Sequence, residues 1–327
     1  MSGDGYRSFL KERSISAGAI DAAVALIEQF ESHLRIETQM RTAETATADD
    51  AKAFSEQLIS DGGNSFGNYL ALLRYGAFIR NRELYATILG LLDGAEAFGN
   101  LYTKLANVLG EAKRDAFFEG VIVPPLGTPN EKKPALVQRV LNRLETDDAE
   151  ACKRILSTGL RDSHDEWYQD AVTQYASCRG IDEYLAKKSK SFLAEMERHK
   201  KEGKWWFVQE ITDAVIAHVR QHPMMSSGIR EGNIVYEVKI PYMAKEWLEE
   251  TDPQLRGYYA CHCPWVRESL RAGDITISPT LCNCSAAFHK KPWEIIFGKP
   301  LRAEVIQSIL HGDSQCKFAI HLPEDVA

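Results

Sequence analysis

The sequence predicts an α+β protein, in which an all-helical N-terminal region precedes a smaller α+β domain with an antiparallel sheet and a Cys-rich metal site. Three observations lead to this prediction. Apolar residues recur at three- and four-residue steps through the first two thirds of the chain. From about Gly228 onward, runs of β-branched and aromatic residues appear. Five of the seven cysteines lie within the last 70 residues.

Size and charge limit the classes of protein to consider. A chain of 327 residues suits two domains better than one. The net charge of −7 argues against nucleic acid as a partner, because phosphate binding favours a basic surface. The N-terminus lacks the pattern of a secretory signal, and no apolar run approaches bilayer length. We therefore expect a cytoplasmic protein that binds no membrane, and no pattern assigns an oligomeric state.

Helical periodicity organises the N-terminal region. Residues 15–35 are predicted to form an amphipathic helix, and Asp49 and Asp50 to cap a second helix that ends near Ile59. Residues 66–118 indicate three helices, with turns near residues 80 and 93.

A proline-rich stretch at 123–130 is predicted to be a linker or rigid loop, because three prolines remove hydrogen-bond donors and restrict φ. Helices are expected to resume at 134–144, 147–157, 163–176, 181–200 and 207–221. This pattern suggests a helical domain at 1–125, a second helical segment at 126–227 and a Cys-rich domain at 228–327.

The last segment combines strands with short helices. A strand is predicted at 233–240 and a second at 256–261, and residues 301–310 and 316–322 are typical of a hairpin. Alternation along the last strand places Cys316 on the same face as Phe318 and Ile320, toward the core. Short helices are expected at 242–250, 264–271 and 283–289.

The C-terminal cysteines are the strongest functional signal. They occur as Cys261-His262-Cys263, Cys282-Asn283-Cys284 and Cys316. A C-x-C pair is tighter than the usual spacing of structural zinc sites, but thiolates suit both zinc and iron–sulfur clusters. We favour zinc because the ferredoxin spacings are absent. Burial of the thiols as small apolar groups, without a metal, stays open as an alternative.

Two stretches of this region carry a resemblance to known families. Residues 281–288 begin a helix of small residues with Cys284, and residues 311–318 form a Gly-Asp-x-x-Cys-x-Phe hairpin that contains Cys316. Residues 230–323 thereby resemble the small-molecule-binding domain of the 4-vinyl-reductase type and the 2-amino-thiazoline-4-carboxylate hydrolase-like proteins. The whole chain also resembles a family of uncharacterised bacterial proteins through the stretches 124–129, 261–266 and 289–294.

These resemblances imply a small-molecule ligand and, in sensor members, zinc bound by the matched Cys284 and Cys316. Cys263 and Cys282 are the expected further ligands, with Cys261 as an alternative. The hydrolase resemblance implies a thiazoline-like or amide-like substrate. In that case His262, His289 or His164 would transfer protons.

Other candidates have structural interpretations that compete with function. Ser163 and Glu166 form a capping-box pattern, so His164 sits beside a predicted helix start. His218 and His222 share a helix face but lie near its C-terminus, where the dipole favours them. The lysines at 187–190 are expected on a solvated face. Arg267, Arg302 and Trp293 are candidates for substrate contacts, with a solvated basic patch as the alternative.

The sequence therefore predicts a zinc-containing small-molecule-binding protein, whose enzymatic form is a hydrolase. The alternatives are a non-enzymatic sensor with a structural zinc, and a thiol redox protein that uses a cysteine of low pKa such as Cys261. An iron–sulfur cluster, or no cofactor, remains the alternative to zinc.

Overall fold

The structure is a computed structural model that describes residues 3–38 and 41–324. Its chain divides into two compact units. Unit 1 comprises Met1–Ala95 and Pro124–Lys133, and unit 2 comprises Glu96–Val123 and Pro134–Ala327. The units thus divide at residues other than the predicted boundaries at 125 and 227.

Unit 1 is helical, as predicted. Its core contains Phe30, Phe54, Tyr69 and Leu72, each at most 1% exposed. The helices are α1 (Gly3–Lys11), α2 (Ala17–Thr38), α3 (Ala48–Ser60), α4 (Phe66–Phe78) and α5 (Arg82–Leu92).

The start of α3 corrects the predicted cap. Thr47 is the N-cap, and its side chain accepts a hydrogen bond from the amide of Asp50. The Asp50 carboxylate in turn accepts one from the amide of Thr47 at 2.8 Å. Asp50 is therefore the third residue of a capping box rather than the cap, because it lies within the first helical turn.

The proline-rich loop packs closely into unit 1 at Gly127. This residue has φ of +90°, and a Cβ placed there would lie 1.7 Å from the Tyr69 hydroxyl. The Ser55 hydroxyl donates to the Gly127 carbonyl at 2.7 Å and lies 2.6 Å from the Tyr69 hydroxyl. Only glycine satisfies both the backbone conformation and the close approach.

Unit 2 contains the remaining helices and the sheet. Across residues 96–123 and 134–324 the helices are α6 (Ala97–Leu109), α7 (Glu111–Phe117), α8 (Pro134–Leu156), α9 (Gln169–Ala176), α10 (Ile181–Glu202), α11 (Asp213–Gln221), α12 (Pro223–Ser226), α13 (Ala244–Glu249), α14 (Pro253–Ala260), α15 (Arg267–Ala272) and α16 (Asn283–Phe297). None of the helices that the structure describes is both long enough and apolar enough to cross a bilayer.

Two helix predictions in the N-terminal and middle parts are corrected, and one is confirmed. Residues 66–118 contain four helices, since Gly110 at φ of +89° separates α6 from α7. The two helices predicted at 134–144 and 147–157 are confirmed, because α8 is interrupted at Asp148, where φ of −159° and ψ of 92° are not helical. The capping box at Ser163 does not form, because the Ser163 hydroxyl lies 3.0 Å from that of Tyr168 and a 3₁₀ turn at Asp165–Tyr168 precedes α9.

The sheet is four-stranded and antiparallel. Its strands are β1 (Ile229–Glu231), β2 (Ile234–Val238), β3 (Arg302–Gln307) and β4 (Lys317–His321), and their order in the sheet is β1-β2-β4-β3. The predicted hairpin is confirmed, and the structure adds a short strand before the one predicted at 233–240. The central β2 pairs with β4 so that Glu237 is opposite Phe318.

The strand predicted at 256–261 is wrong, because these residues belong to α14 and its C-cap. The Asp252 side chain accepts hydrogen bonds from the amides of Gln254 and Leu255, and Pro253 occupies the first turn. A good N-cap followed by proline favours a helix start, which outweighs the strand preference of Tyr258 and Tyr259.

Candidate functional site

The C-terminal thiols come together inside unit 2 from three chain segments. Cys261 caps the end of α14, Cys282 precedes α16, and Cys316 precedes β4. The amide of Lys239 donates to the Cys316 carbonyl at 3.0 Å, which ties this cysteine to the end of β2. The charges of Cys263, Cys316 and Cys282 each act to raise the pKa of Cys261, so these four side chains lie close together.

The surroundings of these thiols are apolar and favour the protonated form. Cys261 is 6% exposed and belongs to the same core cluster as Trp265 and Leu281. Burial raises the pKa of Cys261 well above its ordinary value and that of Cys282 to about 12. The Cys282 sulfur also lies 3.0 Å from the hydroxyl of the buried Ser308.

Cys284 faces a different neighbour. Its sulfur accepts a hydrogen bond from the amide of Leu160, beyond the end of α8, at 3.3 Å. Burial raises the pKa of Cys284 to about 11, and the nearby Cys263 adds to this effect. Cys284 therefore connects the thiol group to the helical part of unit 2.

Within residues 3–38 and 41–324, no three His, Cys, Asp or Glu side chains form a group that could hold a metal ion. None of the seven cysteines, all of which are described, is in a disulfide. Protonated thiols in an apolar core pack as small hydrophobic groups.

A buried ionic network lies in the same unit. The carboxylate of Glu237 on β2 is 3.0 Å from the Lys188 ammonium and 2.7 Å from Nδ1 of His289. The indole Nε1 of Trp293 also donates to this carboxylate, at 3.3 Å. Glu237 is only 7% exposed, so its charge depends on these three partners rather than on water.

The spacing of side chains along β2 and α16 explains how this network forms. Glu237 and Lys239 are two residues apart and share one face of the β2 segment. Ser285, His289 and Trp293 are four residues apart and share one face of α16. The two rows meet, since the Lys239 ammonium donates to the Ser285 hydroxyl at 3.2 Å while His289 contacts Glu237.

Electrostatics keep Glu237 ionised. Burial opposes ionisation of this carboxyl, but Lys188 and His289 outweigh that effect and lower its pKa to about 2. Burial lowers the pKa of His289 although Glu237 acts in the opposite direction, so the imidazole is neutral at pH 7.

His262 is neutral for a similar reason. Burial lowers its pKa well below the ordinary value, and Lys239 and His289 add to the effect. Its Nε2 lies 2.6 Å from the carbonyl of Ile240, which can only accept, so this nitrogen carries the hydrogen. Two neutral histidines, a lysine and the thiols thus share one buried region.

Two of the predicted site residues lie elsewhere. His164 is exposed and packs edge-on against Trp167 at 4.9 Å between ring centroids. Arg302 is exposed on β3 and pairs with Glu304. The structure therefore does not bring these two side chains to the buried thiols.

The other two predicted substrate contacts are core residues. Arg267 is 8% exposed, and its guanidinium lies over the rings of Tyr242 and Tyr258 at 4.4 and 5.2 Å. Trp293 is 1% exposed and donates to Glu237. Both side chains are held by protein partners within unit 2.

The His218 and His222 pair has the structural role that the sequence favoured. Nδ1 of His222 lies 2.7 Å from the carbonyl of His218, as expected at a helix end. The acidic residues upstream are engaged in ion pairs, Glu210 with Lys245 and Asp213 with Lys200.

Three residues of the site were missed by sequence reasoning: Glu237, Lys188 and Lys239. A glutamate between Tyr236 and Val238 in a strand with β-branched residues was the available signal, because a charge in such a strand needs a buried partner. Lys188 was assigned to a solvated face. Lys187 does pair with Glu183 on that face, but Lys188 turns inward to Glu237.

Comparison of the chain with protein-family profiles, curated proteins and solved structures returns no match. The family resemblances drawn from residues 281–318 therefore stay predictions.

Proposed function

We propose that the C-terminal part of unit 2 binds a small molecule beside a zinc site formed by Cys263, Cys282, Cys284 and Cys316, with Cys261 as an alternative ligand. The observation that supports this proposal is the convergence of thiols from three segments that are distant in sequence. Soft thiolates are the protein ligands that zinc prefers in closed sites.

Zinc binding by these thiols requires them to lose their protons. The ligand form is the thiolate, so each buried thiol of raised pKa would release its proton on binding the ion. The Lys239 ammonium acts to lower the pKa of both Cys282 and Cys284. A zinc ion with four thiolates carries a net negative charge, and this lysine would offset part of it.

The enzymatic form of the proposal is hydrolysis of a small thiazoline-like or amide-like compound. Catalysis requires an open coordination position, so three thiolates and a water would support it, whereas four thiolates make a structural site. The neutral His289, held by Glu237, favours the enzymatic form because it offers a proton acceptor in the same buried region. Binding without turnover is the sensor form of the proposal.

The surroundings of Cys261 do not favour thiol redox chemistry at this residue. A reactive cysteine has a lowered pKa, in an electropositive and accessible position. Burial has the opposite effect on Cys261 and raises its pKa well above the ordinary value.

The test is elemental analysis of the full chain purified without added metal. We expect about one zinc per chain, lost in Cys282→Ser and Cys316→Ser but retained in the matched control Cys178→Ser. Cys178 is a suitable control because its thiol donates to the Gln174 carbonyl at 3.1 Å, on α9. Iron in place of zinc would assign a cluster, and protein that contains neither metal after reconstitution would overturn the proposal.

A further inference from the structure

The contacts of His289 give its two ring nitrogens different roles. Nδ1 lies 2.7 Å from a carboxylate oxygen of Glu237, and an ionised carboxylate only accepts hydrogen bonds. Nδ1 therefore carries the hydrogen in the neutral ring. The other nitrogen, Nε2, then has a lone pair and acts as an acceptor.

The ring is held in place from several directions. It stacks on Phe318 of β4, with ring centroids 4.6 Å apart and an interplanar angle of 30°. The Glu237 carboxylate that orients it is held by the Lys188 ammonium and the Trp293 indole. Such support limits both the tautomer and the orientation of an imidazole, as a base at a catalytic site requires.

We infer that Glu237 is a positioning residue that presents Nε2 of His289 as the proton acceptor for a bound water or a small molecule with a hydroxyl group. The inference rests on the proposed small-molecule site for its ligand, and it adds the proton acceptor and the residue that orients it. The side chain of His289 is 16% exposed, so it is not sealed from solvent.

The proton transfer balances without any further reactant. The O–H bond of the ligand breaks, its proton passes to Nε2, and the electron pair stays on the oxygen. The imidazolium that forms is stabilised by the ionised Glu237. The oxyanion that forms has Lys239 nearby as a cation, and across the described ranges this lysine forms no ion pair with a carboxylate.

The charged and titratable groups around His289 predict opposite effects for two substitutions. Burial lowers the pKa of His289 and Glu237 raises it, whereas Lys239 and Lys188 lower it further. His262 faces the same ring, and His289 lowers the pKa of His262. Glu237→Gln should therefore lower the pKa of His289, and Lys188→Met should raise it.

The experiment is histidine-ring NMR on the full chain labelled with ¹⁵N, with pH titration. In the native protein we expect the His289 proton on Nδ1 at pH 7. We expect a shift of the His289 pKa by about 0.5–1 pH unit downward in Glu237→Gln and upward in Lys188→Met. The matched control is Lys190→Met, an exposed lysine on the same helix, which should leave the pKa unchanged.

Two outcomes overturn the inference: a proton on Nε2 of native His289, or shifts of the same sign in the two variants. If Glu237→Gln fails to fold, the His289 pKa in Lys188→Met and the His289 tautomer in the native protein still test the inference. Zinc is measured in the same samples. If the protein contains no zinc but the His289 proton is on Nδ1, only the metal proposal is overturned. If the protein contains zinc but the His289 proton is on Nε2, only this inference is overturned.

Discussion

The carboxylate of Glu237 and the imidazole of His289 are joined by a 2.7 Å hydrogen bond between Oε2 and Nδ1, although 52 residues separate them in sequence. One residue lies on the central strand β2 and the other on α16, so this contact links the sheet to the helix that covers it. Lys188 on α10 completes the network, which makes three elements depend on one buried carboxylate.

The first prediction concerns pH. The pKa of Glu237 falls from 4.5 to about 2 on folding, and that of His289 also falls below 6.5. The unfolded chain therefore binds more protons, so the free energy of unfolding rises with pH. The contribution of Glu237 to the free energy of unfolding is fully present above pH 4.5 and is lost as the pH falls toward 2. It amounts to at most about 3 kcal/mol.

Urea unfolding between pH 3 and 7, followed by tryptophan fluorescence, checks this prediction. All six tryptophans lie in unit 2, so the signal reports the unit that contains the network. In Glu237→Gln the slope of unfolding free energy against pH should be smaller below pH 4.5. An unchanged slope in this variant would contradict the assignment.

The second prediction concerns the pairing of Lys188 with Glu237. Lys188→Met leaves a carboxylate buried without its main counter-charge, which should cost about 3–5 kcal/mol. A double-mutant cycle with Glu237→Gln should give a coupling energy of about 1–3 kcal/mol. The surface pair Lys187 and Glu183 is the control, and we expect far weaker coupling there because solvent screens both charges. Equal coupling in the two pairs would contradict the burial argument.

The third prediction concerns the loop of unit 1. Gly127→Ala should lower the free energy of unfolding of unit 1 by more than about 2 kcal/mol, because the new Cβ meets the Tyr69 hydroxyl and φ is positive. Gly62→Ala is the control: φ there is +70° but no atom lies within 4 Å, so strain alone should cost about 1 kcal/mol. Hydrogen exchange of peptides from α3 and α4 measures the effect of both variants. Similar losses of protection in the two would contradict a clash between the new Cβ and the Tyr69 hydroxyl.

The fourth prediction concerns metal removal. If zinc joins the three thiol-bearing segments, a chelator should lower the midpoint temperature of unit 2 unfolding and restored zinc should recover it. The effect should shrink when the pH falls, since protons compete with the metal for thiolates of raised pKa. Cys282→Ser should show no response to the chelator. A response equal to that of the native chain would exclude Cys282 as a ligand.

The sequence predicted those elements whose signals are local. Helix α2 and the hairpin of β3 and β4 follow from apolar periods within one segment, and both are confirmed. The strand predicted at 256–261 failed because two tyrosines suggested extended backbone, whereas Asp252 and Pro253 begin a helix just before them. The capping of α3 shifted by a few residues for a related reason: Thr47 and Asp50 satisfy each other's amides.

In the candidate site, too, the sequence predicted the features with local signals and missed the contacts between distant residues. The clustering of cysteines at 261–263 and 282–284 was visible in the sequence, and the structure brings Cys261, Cys263, Cys282 and Cys316 close together in unit 2. His289 was singled out from the sequence, but its partner Glu237 was not, because no local period marks a contact over 52 residues. Arg267 looked available for a substrate, yet it lies over two tyrosine rings in the core.

By itself, then, the sequence determined the α+β class, the position of the sheet near the C-terminus and the concentration of thiols there. Only the tertiary structure decided which charges are buried, because the pairing of Lys188 with Glu237 depends on how α10 packs beside β2. Side-chain periods predict which face of an element is buried, but not which residue of another element meets it. The packing of the elements decides which residues meet, and it thereby sets the protonation of His289 and the surroundings of the thiols.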